Sequence, residues 1–199
     1  MKNANKLVES IEDRPVITFS DADEWRKWLE SNHESAAGVW IKIAKKATGI
    51  PTVTHEQALD DALCFGWIDG QRRSYNEQYF IQKFTPRTKR SIWSKRNQEF
   101  VARLIKEGRM RPAGQREIDV AKADGRWERA YDSPKNMKVP DDFLVELKKN
   151  KKAEQFFGTL NKTNTFSIAF QLATAKRPET RIRRMEKIIA MLEREEKLY

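Results

Sequence analysis

The chain has 199 residues, 39% hydrophobic and 34% charged, with a formal net charge of +10. That length suits one or two domains with a true core, and the single cysteine, Cys64, excludes a disulfide-stapled scaffold. Two histidines, His33 and His55, without partners at ligand spacing give no reason to expect a metal site or a cofactor.

No apolar run approaches the roughly 20 residues that cross a bilayer. Residues 1–6 have no apolar segment behind them and no cleavage site, so the expectation is a cytoplasmic protein. All six tryptophans precede residue 128, so the last third differs in kind from the rest.

In chain order, Val16–Phe19 reads as a short strand, and Ser20 with Asp23 as a capping box opening a helix that buries Trp25, Trp28 and Leu29. Residues 38–43 alternate like a strand. Thr54 to Gln57 is a second capping box, opening a helix with Ala58, Leu59, Ala62 and Leu63 inward. Gly66 and Gly70 bracket a tight turn that Asp69 would close through the backbone. Tyr75–Phe84 reads as a strand or hairpin stopped by Pro86. Ser91 is a candidate cap for a helix burying Phe100, Val101, Leu104 and Ile105 and ending at Gly108. Helices follow over 112–121 and around Trp127 and Tyr131.

Residues 132–139 are polar with one proline and read as a linker. Helices are expected from Pro140, over 153–160, over 165–175 and from Pro178, the last with Ile182, Met185, Ile189 and Leu192 on one face. The fold class is therefore α+β: a small N-terminal sheet with packed helices over 1–134, then an all-helical module over 135–199.

Five strings carry a family resemblance: ALCFGWIDGQ at 62–71, KFTPRTKRSIWSKRN at 83–97, EGRMRPAG at 107–114, ADGRWERAYDS at 123–133 and AKRPETRIRRMEKI at 175–188. Together they resemble the bacteriocin-protection, YdeI/OmpD-associated family along nearly the whole chain. The resemblance implies a role in bacteriocin or antimicrobial-peptide protection or in stress. It brings no catalytic residues.

The residues themselves point to anions. Residues 71–96 hold eight Lys or Arg against one acid, a concentrated positive field. Arginine forks grip phosphate oxygens, and neighbouring aromatics can stack on bases. The candidate ligand-binding residues are Trp67, Asp69, Arg72, Arg73, Arg87, Lys89, Arg90, Trp93, Lys95 and Asn97. The competing reading is a solvated basic loop, with Trp67 and Trp93 in the core.

Cys64 reads as a small buried hydrophobe and His55 as a surface residue. Asp60 and Asp61, adjacent on a helix, point in different directions and argue against a paired-carboxylate site. The leading expectation is a non-enzymatic binding protein for an anionic ligand or polyanion. The alternatives are an enzyme on a small phosphorylated substrate with Asp69 as acid or base, and weak nucleic-acid binding without a recognised motif.

Overall fold

The computed structural model describes residues 9–132 and 136–198, and these divide into two compact units. One holds the described residues up to Ile92 together with Asn97–Glu128. The other holds Trp93–Arg96 and the described residues from Arg129 onward. Of the linker expected over 132–139, residues 133–135 lie outside the described residues.

The first unit is built on a five-stranded sheet. Its strands are β1 (Ser10–Ile11), β2 (Arg14–Ile17), β3 (Val39–Ala44), β4 (Trp67–Ser74) and β5 (Tyr79–Pro86), in the order β1-β2-β3-β5-β4. Only β2 and β3 run parallel, and α1 (Ala22–Asn32) makes their crossover. The other pairings are antiparallel. α2 (His55–Cys64) follows a short 3-10 turn at Lys46–Thr48, and α3 (Lys95–Lys106) and α4 (Pro112–Ala123) follow the sheet.

Tryptophans make the core of this unit. Trp25 on α1 stacks on Trp28 at 5.3 Å and meets Trp67 of β4 at 6.4 Å and Phe84 of β5 at 5.6 Å. The buried indole N–H groups are satisfied: Trp25 Nε1 donates to the Ala58 carbonyl at 3.0 Å and Trp67 Nε1 to the His33 carbonyl at 3.1 Å. These two bonds tie α1 to α2 and β4 to the end of α1.

The capping box of α2 forms as its sequence specifies, with Thr54 accepting from the Gln57 N–H and the Gln57 side chain reaching back. Other expected caps shift. Asp21, not Ser20, caps α1 and accepts from the Glu24 N–H, while the Glu24 carboxylate reaches back to the Ser20 N–H. Ser91 does not cap α3; its hydroxyl accepts from the Thr88 N–H at 3.0 Å and closes a turn, and the helix begins four residues later.

The Gly66–Gly70 segment is only half a turn. Gly66, at φ +75°, makes the turn out of α2, and its own carbonyl accepts from the Arg87 N–H, after which Trp67–Ser74 is strand. Trp127 lies in a turn rather than a helix. Ile105, expected inside, is 46% exposed, and the buried side of α3 is made by Asn97, Val101 and Leu104.

The second unit carries α5 (Asp141–Lys148), α6 (Lys151–Phe157), α7 (Lys162–Ala173) and α8 (Pro178–Glu193). Its core joins Phe143, Leu147, Ile168, Leu172, Met185, Ile188 and Leu192. The buried stripe of α8 is thus Met185, Ile188 and Leu192, and Ile182 is left 55% exposed. Eight α-helices and one five-stranded sheet among the described residues make the chain mixed α and β, with a helical C-terminal region.

α4 approaches α2 through Gly114, where an added Cβ would lie 2.3 Å from the Cys64 carbonyl oxygen and 2.7 Å from that of Leu63. Backbone cannot yield as a flexible side chain can. Gly114→Ala is expected to destabilise the unit by about 1–3 kcal/mol, read as a lower urea midpoint; an unchanged midpoint would show that the two helices separate freely.

Candidate functional site

Asp69 and Arg72 stand three residues apart on β4, so regular alternation would place them on opposite faces. A bulge prevents this. Asp69 pairs with Phe84 and Arg72 with Gln82, with a register shift between them. The extra residue turns Arg72 onto the same face as Asp69. Gln82, buried on β5, holds the irregular segment by donating to the Gly70 and Gln71 carbonyls at 2.9 and 3.3 Å. Arg73, pairing with Ile81, falls on the opposite face.

On the Asp69 face the guanidinium of Arg72 lies 3.7 Å over the Phe80 ring. Asp69 does not close a turn. Its Oδ2 is 3.1 Å from His55 Nε2, at the first position of α2. His55 is therefore half-buried and partnered, not a bare surface residue. His55, Arg72 and Phe80 line a groove of about 620 Å³, together with Lys45, Lys46 and Glu56. Lys45 is steadied by donating to the Asn76 carbonyl at 2.8 Å, and Lys46 is exposed.

This groove joins one acid, Glu56, to the cations Lys45, Lys46 and Arg72 and to His55, which Asp69 contacts. The cations can hold an anionic group, Arg72 on Phe80 offers a flat surface to a planar one, and His55 can give or take a proton. Lys45, Lys46 and His55 escaped the sequence reading. A signal for His55 was present: it directly follows an N-cap, which fixes its position at a helix start. Its partner lies 14 residues away on a strand, and no local pattern marks that.

The other sequence candidates go elsewhere. Trp67 is core, and Arg73 reaches Glu12 on the far face. Arg87 is 6% exposed and donates from Nη1 to the Ile92 carbonyl. Lys89 and Arg90 are exposed on a loop held from beneath by buried Arg126, whose Nη1 donates to the Thr88 and Ser91 carbonyls while Nε donates to Asp124. Asn97 is buried. Trp93, buried, and Lys95, bonded to Asp132 at 3.0 Å, belong to the second unit. The basic stretch thus divides between the two units rather than lying within one.

A second polar cluster lies at the other end of α2. Asp60 and Asp61 are 7% and 2% exposed. Arg103 donates to Asp60 at 2.7 Å, Arg26 to Asp61 at 3.1 Å, and Arg109 reaches both. The two acids do diverge, as adjacency on a helix requires, yet one arginine bridges them. Cys64 beside them has its thiol pushed up to about 11, chiefly by burial, which leaves it protonated and inert near neutral pH.

Truncating Asp61 takes a shared carboxylate from Arg26 and Arg109, which are half-buried and keep Asp23 and Glu107 as second partners. Asp61→Ala is expected to lose about 1.5–3 kcal/mol of unfolding free energy, the worth of its charge-assisted bonds, whereas Asp23→Ala, removing the exposed partner of Arg26, should lose less than about 1 kcal/mol. Equal losses in urea titrations would contradict this assignment.

Residues 17–117, half of the chain, match the family described as "Domain of unknown function (DUF8412)", and the chain belongs to that family. Residues 136–195 match "Bacteriocin-protection, YdeI or OmpD-Associated". The resemblance read from the sequence along the whole chain is thus shown for the helical C-terminal region alone. No curated protein and no solved structure matches the chain.

Proposed function

We propose that this chain is a binding protein for a small anionic ligand, held in the groove between the first turn of α2 and the β4–β5 hairpin. The observation that carries the reading is the bulge in β4, which places Arg72 beside Asp69 and over Phe80 at the mouth of a cavity that also holds Lys45 and Lys46. Charge-assisted bonds from an arginine and two lysines suit a phosphate or carboxylate, and the Arg72–Phe80 stack suits a planar body attached to it. The description of the family matched by residues 136–195 favours a setting in bacteriocin protection.

A ligand binding only the folded state stabilises it by about 2.7 kcal/mol at a hundredfold excess over Kd. Thermal shift with inorganic phosphate, AMP and a dicarboxylate should show such stabilisation for at least one probe. Arg72→Ala combined with Lys46→Ala should remove it while the unliganded Tm stays put. Failure of every probe, or a shift that survives the double substitution, would refute the reading.

The His55–Asp69 contact favours one alternative, an enzyme in which His55 rather than Asp69 handles the proton. With Nε2–H donated to Asp69, Nδ1 is the free ring nitrogen, and the carboxylate orients the ring. In that case His55→Gln would abolish turnover of phosphate monoesters while the thermal shift by phosphate persists. Absence of turnover by the wild type leaves the binding reading standing alone.

A further inference from the structure

The face of the sheet opposite the groove has a composition of its own. Strand alternation places Trp40 and Lys42 of β3, Tyr79, Ile81 and Lys83 of β5, and Arg73 of β4 on it together. Cations and rings interleave there. Lys42 Nζ lies 4.3 Å from the Tyr75 ring centroid and 5.0 Å from that of Tyr79, while Arg73 and Lys83 lie 4.8 and 5.4 Å from Trp40.

Across this face runs the short arm from Glu9 to Asp13, which includes β1. Its Glu12 bonds both Arg73 and Lys83, and Glu9 accepts from the Tyr75 hydroxyl at 2.8 Å. The Glu12 carboxyl is held below its ordinary range by the bonds from Lys83 and Arg73. The arm pairs with β2 at only two positions, and Glu12 and Asp13 sit in the left-handed region at φ 53° and 58°. Its apolar anchor is Ile11, whose carbonyl accepts from Trp40 Nε1 and whose side chain packs with Val16, Trp40 and Ile81. Backbone anchoring thus comes from Glu9, whose carbonyl accepts from the Val16 N–H at 2.8 Å, and from Ile11, while the Glu12 side chain lies over the cations.

We propose that this outer face is a binding site for single-stranded nucleic acid, and that Glu12 occupies the place of a backbone phosphate. A carboxylate shared by an arginine and a lysine is the chemistry that a phosphodiester oxygen would meet there. Lys42, on a flexible four-carbon stem, can follow a second phosphate and uncover the Tyr75 and Tyr79 rings for base stacking. An isolated small anion would use the cations but not the rings. The glutamate side chain swings aside while Ile11 keeps the arm in place, so Glu12 acts as a competitor that sets the affinity low.

Fluorescence anisotropy with labelled dT15 and U15 tests this on the full chain. Neutralising the competitor with Glu12→Gln should tighten binding about tenfold over the wild type, with a log–log salt slope near −2, as about three cations on a single strand require. Arg73→Ala with Lys83→Ala, in the Glu12→Gln background, should return the affinity to the wild-type level or below and flatten the slope. Glu186→Gln, which removes the same charge from the second unit, should leave binding unchanged. Circular dichroism melts check that each variant is folded. The proposal is overturned if Glu12→Gln and Glu186→Gln behave alike, if the double substitution leaves affinity intact, or if a poly-glutamate peptide competes as well as the oligonucleotide.

Discussion

Asp60 and Asp61 are buried on α2, and isolated buried carboxylates would be strongly destabilising. Their counter-charges come from three places: Arg26 on α1, Arg103 on α3 and Arg109 just after it. α2 can hold its position only if all three are there to meet it. Such a network adds little net stability compared with an apolar core, but it admits few alternative arrangements. The other end of α2 begins with His55, so the charges that fix the helix also fix the imidazole that meets Asp69. The indole of Trp25, bonded to the Ala58 carbonyl in the middle of the same helix, removes its freedom to slide.

Local chemistry was readable from the sequence. The Thr54 capping box, the proline starts of α4 and α8, and the inward faces of α1 and α2 all depend on residues within one or two turns of each other. The errors share a different cause. The caps at Ser20 and Ser91 failed because each hydroxyl had a neighbour with an equally good use for it: Asp21 in the first case, the Thr88 turn in the second. Ile182 fits the helical period yet faces out, since the period gives a stripe but not its phase against a neighbouring helix.

The site was harder to read than the fold. Asp60 and Asp61 diverge on their helix, and no local pattern marks the arginines that meet them, 35, 43 and 48 residues away. Asp69 reads from its sequence as a residue closing a turn through the backbone, whereas its partner is His55, 14 residues away on a helix. The basic run was read as one patch because charge was counted along the chain. Folding buries Arg87, uses Arg126 to support the loop carrying Lys89 and Arg90, and sends Arg72 and Arg73 to opposite sides of the sheet. A charge count has no means of separating neighbours in this way.

Alternation alone separates Arg72 from Arg73; the bulge at Gly70–Gln71 decides which of them takes which side, and it does so by length rather than by composition. A substitution there keeps the count of residues and hence the facing of everything beyond it. Loss of a single residue would leave every charge in the chain present and exchange the sides on which Arg72 and Arg73 emerge. For this hairpin, spacing therefore governs the two faces more strictly than residue identity, and two surfaces with separate chemistries hang on one unpaired position in one strand.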